Sequence, residues 1–427
     1  MSIKDIYEKF VQSSGIVTDS RKIKKNCIFL SLKGKNFNGN KFAKSAINKG
    51  ALIAIVDEKK YALNEQDYIY VSDSLETLQK LANFHRKKVD AKVIGLTGSN
   101  GKTTTKELIN CVLKTKYLTT HTEGNLNNHI GVPLSILKIK NNTQFAIIEM
   151  GASHIKEIEF LCKIAEPDFG YITNFGKAHL EGFGSEKGVV KGKSELYQFL
   201  KKNKGLIFYN LDDKKQVELL FDYEKKFGFG KTFGNIKYSI KSDNPEIVID
   251  INGKHIKSSL YGNYNVENII AAVSIGLCFN IEINKIQKGI AGYISSNNRS
   301  QIISKDKNKI FLDAYNANPS SMLLSIKNFE KLNIEKKVFV IGDMLELGKD
   351  EIKFHQEIID YCDNIDVKKI FIVGDIFSKT KFSNKFTSCS DLNELIKLKE
   401  FKNISNANFF VKGSRGLELE KIVDYIF

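Results

Sequence analysis

Tryptophan is absent from this chain of 427 residues, which carries only four prolines, four methionines and six cysteines. The cysteines (Cys27, Cys111, Cys162, Cys278, Cys362 and Cys389) are dispersed, with no CxxC pair and no histidines at metal-ligand spacing. That argues against a zinc module or a disulfide framework, and reduced thiols in a cytoplasmic protein are the expectation. No run approaches the roughly 18 uncharged apolar residues of a membrane span. The opening MSIKDIYEKFVQSSG is charged throughout, so no signal peptide is expected. Blocks of one charge sign are missing too. Net charge is +16, yet the lysines are spread along a chain rich in Asn and Ile. A dispersed basic excess suits anionic small substrates better than a nucleic-acid partner, and none is expected. What is present is ample for real cores: 42% hydrophobic and 11% aromatic residues, over a length that fits about two to four domains.

Three regions differ in texture. Residues 1–90 alternate short β-like runs, CIFLSL (Cys27–Leu32) and ALIAIV (Ala51–Val56), with a helical segment around Lys41–Lys49. They close on SLETLQKLANFHRKKVDA, an amphipathic pattern that predicts a helix from an N-cap at Ser74 towards Ala91. Residues 91–297 alternate strand and helix patterns, with apolar runs at Val93–Leu96, Phe145–Ile148, Tyr171–Thr173 and Leu206–Tyr209. A β-rich patch at Thr232–Tyr261 and a helix at Val266–Cys278 follow. Residues 298–427 carry KIFLDAY, KVFVIGD, KIFIVGD and ANFFVKG, each before a helical pattern. The fold class expected is α/β in three domains: a small N-terminal α/β domain, a central mostly parallel sheet of the P-loop ATPase kind, and a Rossmann-like C-terminal domain.

The strongest local signal is GLTGSNGKTT (Gly95–Thr104) between a short strand and a helix. A strand, a Gly-rich turn ending in Gly-Lys-Thr and a helix, in that order, read as a phosphate loop. Backbone N–H groups of Gly98, Ser99, Asn100, Gly101 and Thr104 can cradle phosphates, Lys102 reaches the β/γ-phosphates, and the Thr103 hydroxyl suits Mg²⁺. FAIIEMGA ends its strand in Glu149, well placed as a second metal ligand. ITNFGKAHLEGFGS places His179 in a Gly-rich loop after another strand, able to complete an oxygen/nitrogen site. On residue chemistry alone, Lys191 and Lys193 read as exposed helix lysines. TEGNLNNHIGVP (Asn125, Asn127, Asn128) and DAYNANP (Asp313, Asn316, Asn318) are amide-rich loops that suit a polar ligand, although capped turns would look the same.

Together these stretches resemble the Mur ligase family of cell-wall precursor enzymes over nearly the full length. The motifs run in family order: TDSRKIKKNCIFLSLKGKNFNGNKFAKSAINKGA, TGSNGKTTTKE, TEGNLNNHIGVPLSIL, EMGASHIKEI, ITNFGKAHLEGFGS, DAYNANPSSM, VIGDMLELG and VKGSRG. YNANP and GDMLELG point to the branch that adds D-Ala-D-Ala to UDP-N-acetylmuramoyl-tripeptide, using ATP and two Mg²⁺ ions in the cytoplasm, with a monomer expected. The resemblance makes Glu149 and His179 magnesium ligands and Lys193 a carbamylated lysine that supports a second ion. It assigns Asn265 and Asn268 to the adenine side, and Arg299 and Asp313 to ATP contacts from the C-terminal domain. Asp19, Ser20 and Arg21 fall to the uridine nucleotide, and Asn316, Asn318, Ser414 and Arg415 to the incoming dipeptide. Tyr264 stands where the adenine motif more usually has His, and Leu312 and Ala314 flank Asp313 where Asp and Ser are commoner. Three rivals share the phosphate loop or the charge. They are a sister ligase adding one amino acid or glutamate to folate, a basic ATPase acting on nucleic acid, and a silent binding protein.

Overall fold

The computed structural model describes residues 1–426 apart from 244–245, 296–297, 306 and 368. Its centre is a seven-stranded, wholly parallel sheet. Across it the strands run Ile236–Lys237, Lys226–Gly230, Leu206–Asn210, Phe169–Ile172, Lys92–Thr97, Phe145–Glu149 and Thr119–His121. Strand Lys92–Thr97 is buried from Val93 on and lies between Phe145–Glu149 and Phe169–Ile172. Those two neighbours come later in the chain and on opposite sides. The crevice at the carboxyl end of Lys92–Thr97 is therefore a topological switch point, where open α/β sheets bind ligands.

Four parallel strands, Ile16–Val17, Ile28–Leu30, Ile53–Val56 and Tyr68–Tyr70, form the N-terminal sheet. The C-terminal sheet has six: Gln301–Lys305, Asn308–Asp313, Asn408–Lys412, Lys337–Gly342, Lys369–Val373 and Phe386–Cys389. All of its pairings are parallel except the antiparallel edge strand Gln301–Lys305. The β-rich patch forms a separate three-stranded antiparallel sheet, Ser239–Asp243, Ile247–Ile251 and Lys254–Ser258. Its apolar face joins the core around helix Tyr264–Cys278.

Several details depart from the sequence expectations. The helix after residue 73 runs Ser74–Arg86, stopping well short of Ala91. Its cap is Asp73, whose carboxylate accepts the Glu76 N–H at 2.8 Å, while Ser74 is its first residue. Asp and Ser cap equally well, so sequence alone could not separate adjacent candidates. Thr119–His121, Lys226–Gly230, Gln301–Lys305 and Phe386–Cys389 were not anticipated as strands. Each is polar or glycine-rich, and ladder bonding to an apolar neighbour makes it a strand. All six cysteines are free. No described helix is long and apolar enough to cross a membrane.

Candidate active site

A cleft of about 1590 Å³ opens between the central and C-terminal domains. The phosphate loop forms its floor, and two loop glycines are required there by geometry. Gly98 has φ +142°, and a Cβ on it would lie 2.0 Å from Thr173 Oγ1. Gly101 has φ +78° and lies against the Asn268 amide, with 2.4 Å from its would-be Cβ to Oδ1. The loop is pinned from the side. Ser99 Oγ donates to Gly176 O at 2.8 Å, Thr173 Oγ1 donates to Asn100 O at 2.6 Å, and Asn100 N donates to Asn174 Oδ1 at 3.1 Å. Helix Lys102–Leu113 starts directly at the loop with no side-chain cap, so its first N–H groups remain for an anion. Lys102 Nζ folds back on the carbonyls of Gly98 (2.6 Å) and Ser99 (3.2 Å). Burial lowers its pKa to about 8; the nearby Glu149 carboxylate opposes that shift and Arg299 adds to it.

Glu149, buried at the end of its strand, accepts Thr103 Oγ1 at 3.2 Å and Asn127 Nδ2 at 2.8 Å, both on Oε1. Its other oxygen, Oε2, is buried with no hydrogen-bond partner, and Lys106 Nζ stands 3.9 Å away. A carboxylate oxygen left this way in a polar cleft fits a cation ligand. Among the described residues no three His, Cys, Asp or Glu side chains form a cage, so any further anionic ligand must have another origin. Lys193 does not itself line the cleft, but it bonds to Ala152, which does. It is fully buried, donates to Ala152 O at 2.9 Å and lies over the Phe183 ring at 5.0 Å. Burial and then Lys102 push its pKa well below that of an ordinary lysine, against the pull of Glu157 and Glu195. The reading of Lys193 as an exposed lysine is therefore corrected, whereas Lys191 is exposed. Two residues, about half a turn of helix, separate opposite environments.

His179 lies on the cleft rim at φ +52°, and its Nδ1 pairs with Glu346 of the C-terminal domain. The amide-rich loops divide. Asn125, Asn127 and Asn128 all line the cleft, but the Asn128 carbonyl accepts the N–H groups of Ile130 and Gly131. Asn316 Oδ1 accepts Ala317 N at 2.9 Å, and Asn318 caps helix Pro319–Glu330 through Ser321 N. For Asn128 and Asn316 the capped turn uses the side-chain oxygen. Asn318 also donates to Asn100 Oδ1 at 2.7 Å, joining the C-terminal domain to the phosphate loop.

Asn265 and Asn268 line the cleft with their amides engaged inside the protein. Asn265 donates to Tyr261 O, and Asn268 bonds Asn265 and Thr105. Arg299 stacks on Tyr315, 3.5 Å from guanidinium carbon to ring centre, with Nε buried and unpartnered. Asp313 takes Ser325 Oγ at 3.2 Å and the buried Lys412 ammonium. Ser414 is buried and accepts Leu345 N, while Arg415 flanks Tyr315 beside a smaller cavity of about 230 Å³. Asp19, Ser20 and Arg21 do not line either cavity. Asp19, held at a pKa of about 2 by its bonds to Arg21, forms a local surface turn, and the Ser20 carbonyl accepts Lys49 Nζ.

Three family models match the chain in order. They are the Mur ligase family catalytic domain at residues 12–86, the Mur ligase middle domain at 96–276, and the Mur ligase glutamate ligase domain at 298–414. The chain belongs to the Mur ligase family. It is 35% identical to the UDP-N-acetylmuramoyl-tripeptide–D-alanyl-D-alanine ligase of Buchnera aphidicola subsp. Baizongia pistaciae, over 96% of this chain and 92% of that one. Identity to the Bacillus subtilis protein of the same name is 34%, with the same shares covered. Among solved structures, a MurF from Acinetobacter baumannii aligns at TM-score 0.86 and 29% identity, over 96% of this chain and 92% of that one. A MurF ligase from Thermotoga maritima in complex with ADP aligns at 0.83 and 27%, over 96% of both.

Sequence reasoning passed over three residues of this Mur ligase. Lys106 is buried with its ammonium on Thr122 O and Glu107 behind Glu149. Lys412 pairs with Asp313, and Glu346 reaches His179. Only the family-typical tail TTTKE and the strand-end VKG hinted at the first two.

Proposed function

We infer that this Mur ligase is an ATP-dependent enzyme that joins D-Ala-D-Ala to the terminal carboxylate of UDP-N-acetylmuramoyl-tripeptide, releasing ADP and phosphate. The observation that carries it is the meeting in one cleft of the phosphate loop, a buried carboxylate with a free oxygen, and the C-terminal loops at 313–318. The relatives' shared activity supplies the substrates. On this reading residues 1–90 hold the uridine nucleotide, 91–297 the ATP, and 298–427 the dipeptide. Cytoplasmic ATP supply places the enzyme in the cytoplasm.

A carboxylate is a poor electrophile and must be activated. Two unit charges 4 Å apart interact by about 4 kcal/mol at an effective dielectric near 20, so the anionic carboxylate and ATP repel until cations intervene. Lys102 leaves its loop carbonyls for the β/γ-phosphates, and Arg299, already desolvated on one face, adds a second positive charge. The carboxylate oxygen attacks the γ-phosphorus, the bond to ADP breaks, and an acyl phosphate forms. The dipeptide amine then attacks the acyl carbon, and phosphate leaves with the bonding electron pair as the amine loses a proton. Thr103, Glu149 and His179, with carbamylated Lys193, would hold two Mg²⁺ ions, which neutralise phosphate charge when bound. A lysine whose ammonium form burial disfavours is a better nucleophile for CO₂, and its carbamate would supply the anionic ligand that the carboxylates do not. An ADP-release panel with D-Ala-D-Ala, single amino acids, folate plus glutamate, and RNA tests the assignment. Release that requires UDP-N-acetylmuramoyl-tripeptide and D-Ala-D-Ala together is expected; equal release with single amino acids would overturn the dipeptide.

A further inference from the structure

The stretch Gly342–Gly348 contains the motif GDMLELG, and the mechanism above uses none of it. Its first three polar groups are clamped. Asp343, buried, accepts the N–H groups of Ile376 (2.9 Å) and Phe377 (2.8 Å). Met344 N donates to the buried His355 at 2.9 Å, and Leu345 N donates to Ser414 Oγ at 3.0 Å. Glu346 then turns out of the clamp at φ +63°, and its carboxylate engages Nδ1 of His179, itself at φ +52°. The loop that carries His179 is docked on the same domain. Lys177 N donates to Ser320 Oγ at 3.0 Å, and Leu180 packs against the C-terminal core.

Stability does not explain this pair. The Glu346 side chain is 61% exposed, and a solvated polar contact of this kind contributes about 0–1 kcal/mol. Two non-glycine residues in the left-handed region cost on the order of 1 kcal/mol each. Such geometry persists where the surroundings fix it, and here it aims two side chains from different domains at each other. A neutral imidazole has one N–H and one lone pair. A carboxylate on Nδ1–H fixes that tautomer and the ring's orientation, and leaves the lone pair on Nε2.

We propose that Glu346 is a positioning residue for His179, supplied across the domain interface, so that the metal site of the central domain is complete only when the C-terminal domain is docked. This rests on the reading of His179 as a metal ligand. Domain docking then does more than bring the dipeptide: it sets the orientation of a ligand that belongs to the other domain.

The test measures Mn²⁺ affinity by electron paramagnetic resonance on the full chain with a non-hydrolysable ATP analogue, for Glu346→Ala, Glu346→Gln and His179→Asn. Analogue affinity in EDTA and thermal unfolding are measured alongside, since an exposed carboxylate should leave both unchanged. Glu346→Ala is expected to weaken Mn²⁺ binding on the order of 10-fold and to raise the KM for Mg²⁺ more than it lowers kcat. Glu346→Gln should fall between Ala and the parent chain. If His179→Asn weakens Mn²⁺ binding and Glu346→Ala does not, the proposal fails while the ligand reading stands. If His179→Asn leaves Mn²⁺ affinity unchanged, both fail. A loss of analogue affinity in EDTA would make Glu346 a closure contact only, and would also overturn the proposal.

Discussion

The floor and the rim of the cleft are built differently. Thr103 and Glu149 on the floor, with Lys106 and Lys193 behind it, are buried, and the hydrogen bonds described for them stay within the central domain. At the rim Lys177 and His179 and, from the edge of the phosphate loop, Asn100 bond to Ser320, Glu346 and the buried Asn318 of the C-terminal domain. The floor is thus ordered before any substrate arrives, and its electrostatics cost no reorganisation during reaction. The rim has its geometry only while the two domains are docked, which ties its chemistry to a motion. Substitutions on the floor should therefore remove chemistry outright. Those on the rim that only join the two domains should shift affinities and leave a working enzyme.

The sharpest way to break that contrast is at Lys102 and Lys193. Lys102→Ala removes the one loop cation and should lower kcat by roughly 10²–10³-fold or more, read by ADP release; near-normal turnover would remove the phosphate loop from the mechanism. Lys193→Ala should inactivate comparably, with partial rescue by added short carboxylic acids, because an acid can occupy the space of a carbamate. A fully active enzyme whose Lys193 carries no added mass would end the carbamylation proposal.

Lys102 also gives the floor a pH signature. Its pKa in the folded protein is about 8, against 10.5 for an ordinary lysine. Polyphosphate needs the ammonium, so nucleotide affinity should be flat below pH 8 and fall as pH rises through it, by about tenfold between pH 8 and 9.5. Stability has the opposite sign. Between about pH 8 and 10.5 the unfolded chain holds this proton and the folded one does not, so the lysine's contribution to stability rises with pH. Calorimetric titration of ADP at several pH values, beside thermal unfolding, measures both. An affinity that does not change across pH 8 would place Lys102 away from the phosphates.

The floor was also the more legible region. A strand, Gly-rich loop and helix are local, so GLTGSNGKTT and FAIIE could be read from residue order alone. Burial is not local. Lys191 and Lys193 differ by two positions on one helix, and only packing against Phe183 and Ala152 separates them. Asn128 and Asn316 look the same in sequence whether they bind a ligand or cap a turn, and their neighbours' N–H groups settled it for their oxygens. Glu346 lies 167 positions from His179 in the chain, a pairing that no periodicity can show. Asp19, Ser20 and Arg21 form a turn away from the cleft; a uridine role for them rests on the family resemblance.

Asn318 allows the smallest and cleanest test on the rim, because its two bonds serve different ends. Its carbonyl caps helix Pro319–Glu330 through Ser321 N, while its amide donates to Asn100 Oδ1 on the phosphate loop. Asn318→Ala loses both. Asn318→Ser keeps a capping oxygen but has no group long enough to reach Asn100. A lost cap costs about 1 kcal/mol, so thermal unfolding should fall for Ala and hold for Ser. A neutral interdomain hydrogen bond is worth about 1 kcal/mol, so both variants should raise the KM for ATP by roughly fivefold with kcat little changed. If Ser matches the parent chain in KM, the Asn100 contact contributes nothing to docking and the rim owes its order to the His179 loop alone. If kcat falls as steeply as for a floor lysine, the division between a preassembled floor and a docked rim is wrong at this position.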